Sequence, residues 1–411
     1  MKKMQQDWSR RKFISGLTGT GAVMMLNPLF SWTPVQIDPR VAAIVAKTIG
    51  VDTHNHIDVP LIATALPGPT VDMAGDMKRS GLSAICMTFA LDYQKLSVAG
   101  EAYERFVNGL TAMDHMLESN NMKRAVNMAD LRSAHQEHKP TVIQSIEGGH
   151  FLEGKLDRVE TAYQRGLRVF GLLHDSDASV PLGDVYTNPP QFGGLTAFGT
   201  EVIKECNRLG ILIDLTHASN QTIDAALKVT KQPIIISHTG LNTQLGQNPS
   251  MANMMRPRLI SKEQAKIVAD AGGVIGVWTH LSDTPLEYAQ NIRAMAETVG
   301  IDHVCIGTDT KLTTPYRPAG NFGPGLGTPP NQGSNPGSQQ AAAPPHDNGQ
   351  RQDSGGRVGE RTNGAWKDQK EGFLFAVVGA LLQTGFNEDE IGKIGGGNFC
   401  RIFQGATDGH S

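Results

Sequence analysis

Six of the 13 histidines stand where a short apolar run gives way to polar residues, and one glutamate and one aspartate stand at similar places. The first run ends in Asp52-Thr53-His54-Asn55-His56, and the third in Glu147-Gly148-Gly149. Later runs end at His174, His217, His238, near His280, and at Asp309. His54 and His56 are two apart, so in an extended segment they share one side. Two imidazoles on one side can hold one divalent ion, and imidazole nitrogen with carboxylate oxygen is the donor set zinc takes outside thiolate sites. Glu147, from an opposite wall, could bridge two ions, with His217 and His238 completing the shell of the second. A water shared by two such ions is acidified enough to supply hydroxide near neutral pH. Asp309 could take its proton and return it to a leaving amine.

Singly, each residue has a plainer reading. A lone strand-end histidine is more often a hydrogen-bonded structural residue. Glu147 before two glycines could mark a tight turn, and Asp309 could cap a helix. His150 and His280 keep that structural reading. The combination carries the argument: H-x-H, Glu, His, His and Asp fall at runs one, three, five, six and eight, in that order.

The elements that must position these side chains are eight β-rich runs, at Ile49–Asp52, Ser83–Phe89, Val142–Ile146, Arg168–Leu173, Ile211–Leu215, Pro233–Ile236, Val274–Trp278 and His303–Ile306. Most are too short and too β-branched for helices, and Gly, Pro or polar residues bound them. Helical patterns lie between them. Glu101–Asn120 sets Phe106, Leu110, Met113 and Leu117 on one face. Thr200–Leu209, Gln221–Val229, Ser261–Ala271 and Leu286–Val299 also read as helices, and Ser261 with Gln264 reads as a capping box. Alternating strands and helices predict parallel βαβ units, and eight of them predict an α/β fold of the (β/α)8 TIM-barrel type, whose strand ends converge on one mouth. After the eighth strand, residues 316–359 are rich in Pro, Gly, Gln, Ser and Asn. Such a segment buries too little apolar surface to offset its ordering entropy, so a long disordered insertion is expected there. Gln369–Gln383 and Glu388–Ile394 read as closing helices.

Lys+Arg 37 against Asp+Glu 40, a formal net charge of -3, gives no basic face for nucleic acid. Cys86, Cys206, Cys305 and Cys400 are far apart with no C-x-x-C pair, and read as buried thiols. Ser9-Arg10-Arg11-Lys12-Phe13-Ile14 has the form of a twin-arginine export motif, and the weakly apolar, Gly-rich stretch from Gly16 to Phe30 follows it. Residues 1–35 are therefore expected to engage the twin-arginine export machinery and to send a barrel domain, 36–411, to the periplasm or another extracytoplasmic place. No clear A-x-A cleavage site stands near Asn27–Pro34, so an uncleaved membrane anchor stays open.

The chain resembles the membrane (renal) dipeptidase family of the amidohydrolase superfamily. The resemblance is carried by Asp52-Thr53-His54-Asn55, Ile146-Glu147-Gly148-Gly149, Ile213-Asp214-Leu215-Thr216-His217-Ala218-Ser219, Ile236-Ser237-His238, Ile306-Gly307-Thr308-Asp309 and Gly396-Gly397-Asn398-Phe399. It runs from about Gly50 to Phe403 apart from the insertion. It implies a two-zinc barrel enzyme that cleaves dipeptides. By position, His54 and Glu147 would bind one zinc, with Glu147, His217 and His238 binding the other. His174 would polarise the scissile carbonyl and steady the oxyanion, and Arg258 would receive the substrate carboxylate on its guanidinium fork. Three departures touch the substrate side more than the metal side. His56 stands where the family usually has Asp, Leu259 where an Asn commonly follows the arginine, and Thr310-Lys311-Leu312 where Phe-Asp-Gly often follows Asp309. Alternatives are an amidohydrolase acting on another small amide or lactone, and an inactive, metal-free barrel used for binding. Beyond a small-molecule substrate and the export machinery, the remaining partner to consider is a second copy of the chain, as a homodimer.

Overall fold

The computed structural model describes residues 37–93, 96, 98–316 and 359–408. The export segment expected at 1–35 lies outside the described residues, as does the expected insertion apart from its end residues Tyr316 and Gly359. The strands are β1 (Val51–His56), β2 (Ala84–Thr88), β3 (Thr141–Glu147), β4 (Leu167–Gly171), β5 (Leu212–Asp214), β6 (Ile235–Thr239), β7 (Val274–Val277), β8 (Val304–Ile306) and β9 (Thr310–Lys311). They form one parallel sheet in the order β8-β7-β6-β5-β4-β3-β2-β1-β9, curled as a TIM-barrel-like α/β fold with helices outside.

The eight expected strands are all present, with shifted ends. β1 runs on to His56, because Asn55 and His56 pair with Thr310 and Lys311 of β9. β4 stops at Gly171, where the chain leaves for the long connection to helix Ala197–Leu209. The ninth strand, not expected, is the continuation of the eighth. The chain pairs with β7 through Val304–Ile306, breaks over Gly307–Asp309, and resumes against β1. Around that break Thr53 Oγ1 lies 2.9 Å from Ile306 O and 2.8 Å from Ser237 O, and Asp309 N donates to His54 O at 3.1 Å. The interior is narrow here. A Cβ at Gly276 or Gly307 would run into the Ser237 carbonyl oxygen, so glycine is required by close approach rather than by turn geometry.

The helices start where short polar side chains cap them. Thr196, Ser219 and Ser261 accept from the backbone N–H groups of Gly199 (3.0 Å), Thr222 (3.2 Å) and Gln264 (3.1 Å). The box expected at Ser261 is only half made, because Gln264 Nε2 instead reaches Asp224 at 3.0 Å. A full capping box forms at Asn387 and Glu390. Helix Asn398–Thr407 presents Phe399, Ile402, Phe403 and Ala406 to the barrel floor, among Val51, Ile143, Leu212 and Val274. Burying each large apolar side chain there contributes about 1.5–3 kcal/mol, so the floor is a packed core and chemistry is left to the opposite end. The four cysteines are free and buried, as expected, with Cys86 and Cys305 in that floor.

Candidate metal centre and substrate pocket

The residues singled out in the sequence meet at the C-terminal mouth of the barrel. His54 and His56 lie on β1, Glu147 ends β3, and His238 lies on β6. His217 follows β5, and Asp309 sits in the break between β8 and β9. His174 is three residues beyond β4, on the connection. The Asp of each D-T-H or D-x-T-H motif ties the strand that carries or precedes its histidine to a neighbour. Asp52 accepts from Thr308 N (2.8 Å), Thr308 Oγ1 (2.7 Å) and Asn55 Nδ2 (2.9 Å), tying β1 to the broken strand. Asp214 accepts from Thr216 Oγ1 (2.6 Å), Thr216 N (3.0 Å) and Ser237 N (3.1 Å), tying β5 to β6. His217 and Asp309 hold left-handed backbone, at φ 67 and 55. For residues with a Cβ this costs on the order of 1–3 kcal/mol and gathers at functional sites.

Five imidazoles aim Nε2 at one carboxylate. Glu147 Oε1 lies 2.8 Å from His217, 3.5 Å from His238 and 3.6 Å from His54. Its Oε2 lies 3.3 Å from His174 and 3.5 Å from His56. Each ring is held from behind at Nδ1. His54 and His238 share the Ser237 hydroxyl (3.3 and 3.0 Å), His56 meets Tyr93 OH (3.2 Å), His174 meets Asp92 (2.5 Å), and His217 meets Tyr186 OH (3.1 Å). A partner at Nδ1 orients each ring with Nε2 inward, where a neutral His54, His56, His217 or His238 would offer a lone pair to a metal ion and a protonated His174 would offer an N–H.

The donor atoms fit divalent metal. Zinc bonds of about 2.0–2.1 Å in a tetrahedron place neighbouring ligand atoms about 3.3 Å apart. His54 and His56 hold their Nε2 atoms 3.2 Å apart, and His217 and His238 do the same at 3.2 Å. Asp309 Oδ1 is 3.2 Å from His56 Nε2 and 3.8 Å from His54 Nε2. His54, His56 and Asp309 thus make one group of ligand atoms, and Glu147 with His174 and His217, or with His54 and His238, makes others. Glu147 Oε2 is buried and has no hydrogen-bond partner, an arrangement that a cation would satisfy.

Electrostatics point the same way. Burial would raise Glu147, but the imidazoles of His174, His54 and His217 outweigh it and hold the carboxyl well below the ordinary glutamate range. Asp309 is likewise held well down, burial being outweighed by His238, His280 and His56. Burial pushes His217 down, but hydrogen bonds to Asp175 and Glu147 outweigh it and carry the ring up to about 10. In the metal-free protein His217 therefore adds stability fully below the ordinary histidine value of about 6.5, and that stability is lost as pH rises through about 10. Ligation by His217 would need the neutral ring, so metal affinity would run oppositely. Loading the metal-free protein is expected to release protons and to tighten as pH rises across that window. Calorimetry in buffers of different ionisation enthalpy measures the release; binding without protons between about pH 7 and 9 would contradict this placement of His217.

Several site residues escaped the sequence reading. His280, left there as structural, donates from Nε2 to Asp309 Oδ2 at 2.7 Å. Asp92, whose side chain is 5% exposed, holds His174. Asp175 pairs with Arg258 Nη2 at 2.5 Å, so the arginine reaches the mouth already engaged by a carboxylate. A readable signal for Asp175 was its place beside His174; Asp92, Tyr93 and Tyr186 had none. Arg258 itself closes a 3-10 turn, Arg256–Arg258, and borders a pocket of about 90 Å³ beside His217 and His238, walled also by Tyr186, Leu259 and Trp278.

The sequence model of the family described as membrane dipeptidase (Peptidase family M19) matches residues 39–320. Among solved structures, an amidohydrolase from Pseudomonas aeruginosa superposes with a TM-score of 0.65 at 22% identity, over 89% of this chain and 98% of that one. The probable dipeptidase PvdM from the same organism gives 0.65 at 17%, over 89% and 97%. A metallo peptidase from Rhodobacter sphaeroides, liganded with a phosphinate mimic of the dipeptide L-Ala-D-Ala, gives 0.59 at 16%, over 87% and 99%. At these identities the three superpositions establish the fold.

Proposed function

Because the chain belongs to the membrane dipeptidase family, Peptidase family M19, and is a metallo-dipeptidase, we propose that it cleaves the amide bond of free dipeptides with two zinc ions held around Glu147. The observation that carries this is the convergence of five imidazole Nε2 atoms on one buried carboxylate. His54 and His56 would hold one ion, His217 and His238 the other, and Glu147 both. Metal held there would supply Lewis-acid polarisation of the scissile carbonyl and a water acidified toward neutral pH. His174, steadied by Asp92, donates a hydrogen bond to the developing oxyanion. Asp309 accepts a proton at its carboxylate and delivers it to the leaving amine, with His280 holding its second oxygen. The dipeptide mimic bound by the Rhodobacter sphaeroides relative supports a substrate of this size.

The test is metal analysis joined to a dipeptide panel on zinc-loaded enzyme. Two zinc ions and dipeptide turnover are expected. Turnover confined to other small amides or lactones would move the substrate class, and a chain that takes up no metal would overturn the reading.

Arg258 is proposed to read the substrate's C-terminal carboxylate, which distinguishes a dipeptide from a chain interior. Arg258→Ala is expected to weaken dipeptide turnover sharply with metal content unchanged, since a two-point charged contact is lost. Amidating the substrate's C-terminus should cost the native enzyme far more than this variant. Equal losses in both would take the role away from Arg258.

We further propose twin-arginine export, supported by Ser9-Arg10-Arg11-Lys12-Phe13-Ile14 and the weakly apolar stretch after it. Replacing both Arg10 and Arg11 by Lys should then hold the protein in the cytoplasm, and unchanged fractionation would refute this route. Among the described residues no helix is long and apolar enough to cross a membrane.

A further inference from the structure

The connection after β4 places Asp175 between two sites, and its carboxylate faces both. Oδ1 lies 3.2 Å from His217 Nδ1 and accepts Tyr186 OH at 2.7 Å. Oδ2 accepts Arg258 Nη2 at 2.5 Å. The Tyr186 ring stacks on His217 with centroids 5.4 Å apart, and the Arg258 guanidinium carbon lies 5.9 Å from the Tyr186 ring centre. Backbone contacts hold this cluster in place. Thr187 Oγ1 donates to Asp175 O at 2.9 Å, and Tyr186 N donates to His217 O at 3.0 Å.

We infer that Asp175 is a positioning residue that joins the metal centre to the substrate-reading arginine, holding His217 with one oxygen and Arg258 with the other. The inference rests on the two-metal dipeptidase reading. A carboxylate at Nδ1 orients a ligating imidazole, keeps Nε2 toward the ion and raises the ring's basicity; losing such a partner typically costs roughly 10–100-fold in metal affinity. Arginine carries substantial rotamer entropy, much of which must be given up on binding unless a neighbour has already fixed the side chain. Asp175 fixes it, and a guanidinium with five N–H donors is not exhausted by one carboxylate. Asp175 thus touches neither the ion nor the substrate, yet sets the grip on each.

The experiment compares the native enzyme with Asp175→Ala, Asp175→Asn, Arg258→Ala and the double variant Asp175→Ala/Arg258→Ala, each checked for folding by thermal unfolding. Zinc affinity of the stripped proteins is measured by chelator competition, and KM and kcat are measured on one dipeptide. In Asp175→Ala, one of the two ions should bind roughly 10–100-fold more weakly, and KM should rise roughly tenfold, the scale of an arginine that must be ordered on binding. Asp175→Asn, which keeps the shape, should show the same metal defect in milder form. In the Arg258→Ala background the Asp175→Ala change should leave KM where it is while the metal defect remains, because the two oxygens act separately. A merely structural residue would not split the two readouts in this way. Native metal affinity and KM in folded Asp175→Ala and Asp175→Asn would overturn the inference alone. A native enzyme that binds no zinc would instead bring down the functional reading together with it.

Discussion

On the proposed two-ion reading, Glu147→Gln is expected to weaken both ions and take turnover to background. Every imidazole in the cluster faces this one side chain, from 2.8 Å at His217 to 3.6 Å at His54. The amide that replaces it has one acceptor oxygen where the carboxylate has two, and its NH2 group would point toward Nε2 atoms that are needed as ligands. The loss in metal affinity should therefore exceed the roughly 10–100-fold cost of removing a partner that only supports a ligand. The metal-free variant should also unfold more readily. In the metal-free protein Glu147 is the carboxylate paired with His217, whose ring is carried up to about 10, and removing one partner from a buried charged pair costs about 3–5 kcal/mol. Elemental analysis after dialysis and thermal unfolding with and without zinc give the two readouts. A variant that keeps two ions through dialysis would show that Glu147 bridges nothing.

If Asp309 shuttles the proton as proposed, Asp309→Asn is expected to lower kcat by roughly 10²–10⁴-fold, the range for a positioned acid–base group, with metal content unchanged. Asp309 Oδ2 is engaged by His280 at 2.7 Å, and its Oδ1 faces His56 at 3.2 Å. An asparagine keeps that shape but cannot accept and return a proton. The measurement pairs single-turnover kinetics with metal content. Near-native turnover would reassign Asp309 to a structural role. Loss of the ion together with activity would make Asp309 a ligand beside His54 and His56, a position its Oδ1 also suits. Because Asp309 and Glu147 are both held below the ordinary carboxylate range of about 4, their contributions to stability are present above that range. These contributions are lost only as pH falls through the lower folded values.

Eight of the nine strands, the end of the barrel at which the ligand-type side chains gather, and the five histidines that converge on Glu147 were legible in the sequence. Those follow from local rules. A period of two puts His54 and His56 on one side, short β-branched runs between helical patterns predict parallel strands, and parallel strands in a closed sheet bring their ends together whatever their separation in sequence. Residue chemistry then restricts what imidazole and carboxylate can bind. The tertiary structure alone decided the partners behind the ligands and the breaks that aim them. Asp92 meets His174 across 82 residues, and Asp175 meets Arg258 across 83. Both pairings depend on how two loops lie over the mouth, and no residue spacing encodes that. His280 looked structural because nothing local shows that the eighth strand breaks at Gly307–Asp309 and turns Asp309 toward it. Left-handed backbone is uncommon for any residue with a Cβ, and at His217 and Asp309 contacts from distant segments, Tyr186 N to His217 O and Asp309 N to His54 O, help hold it.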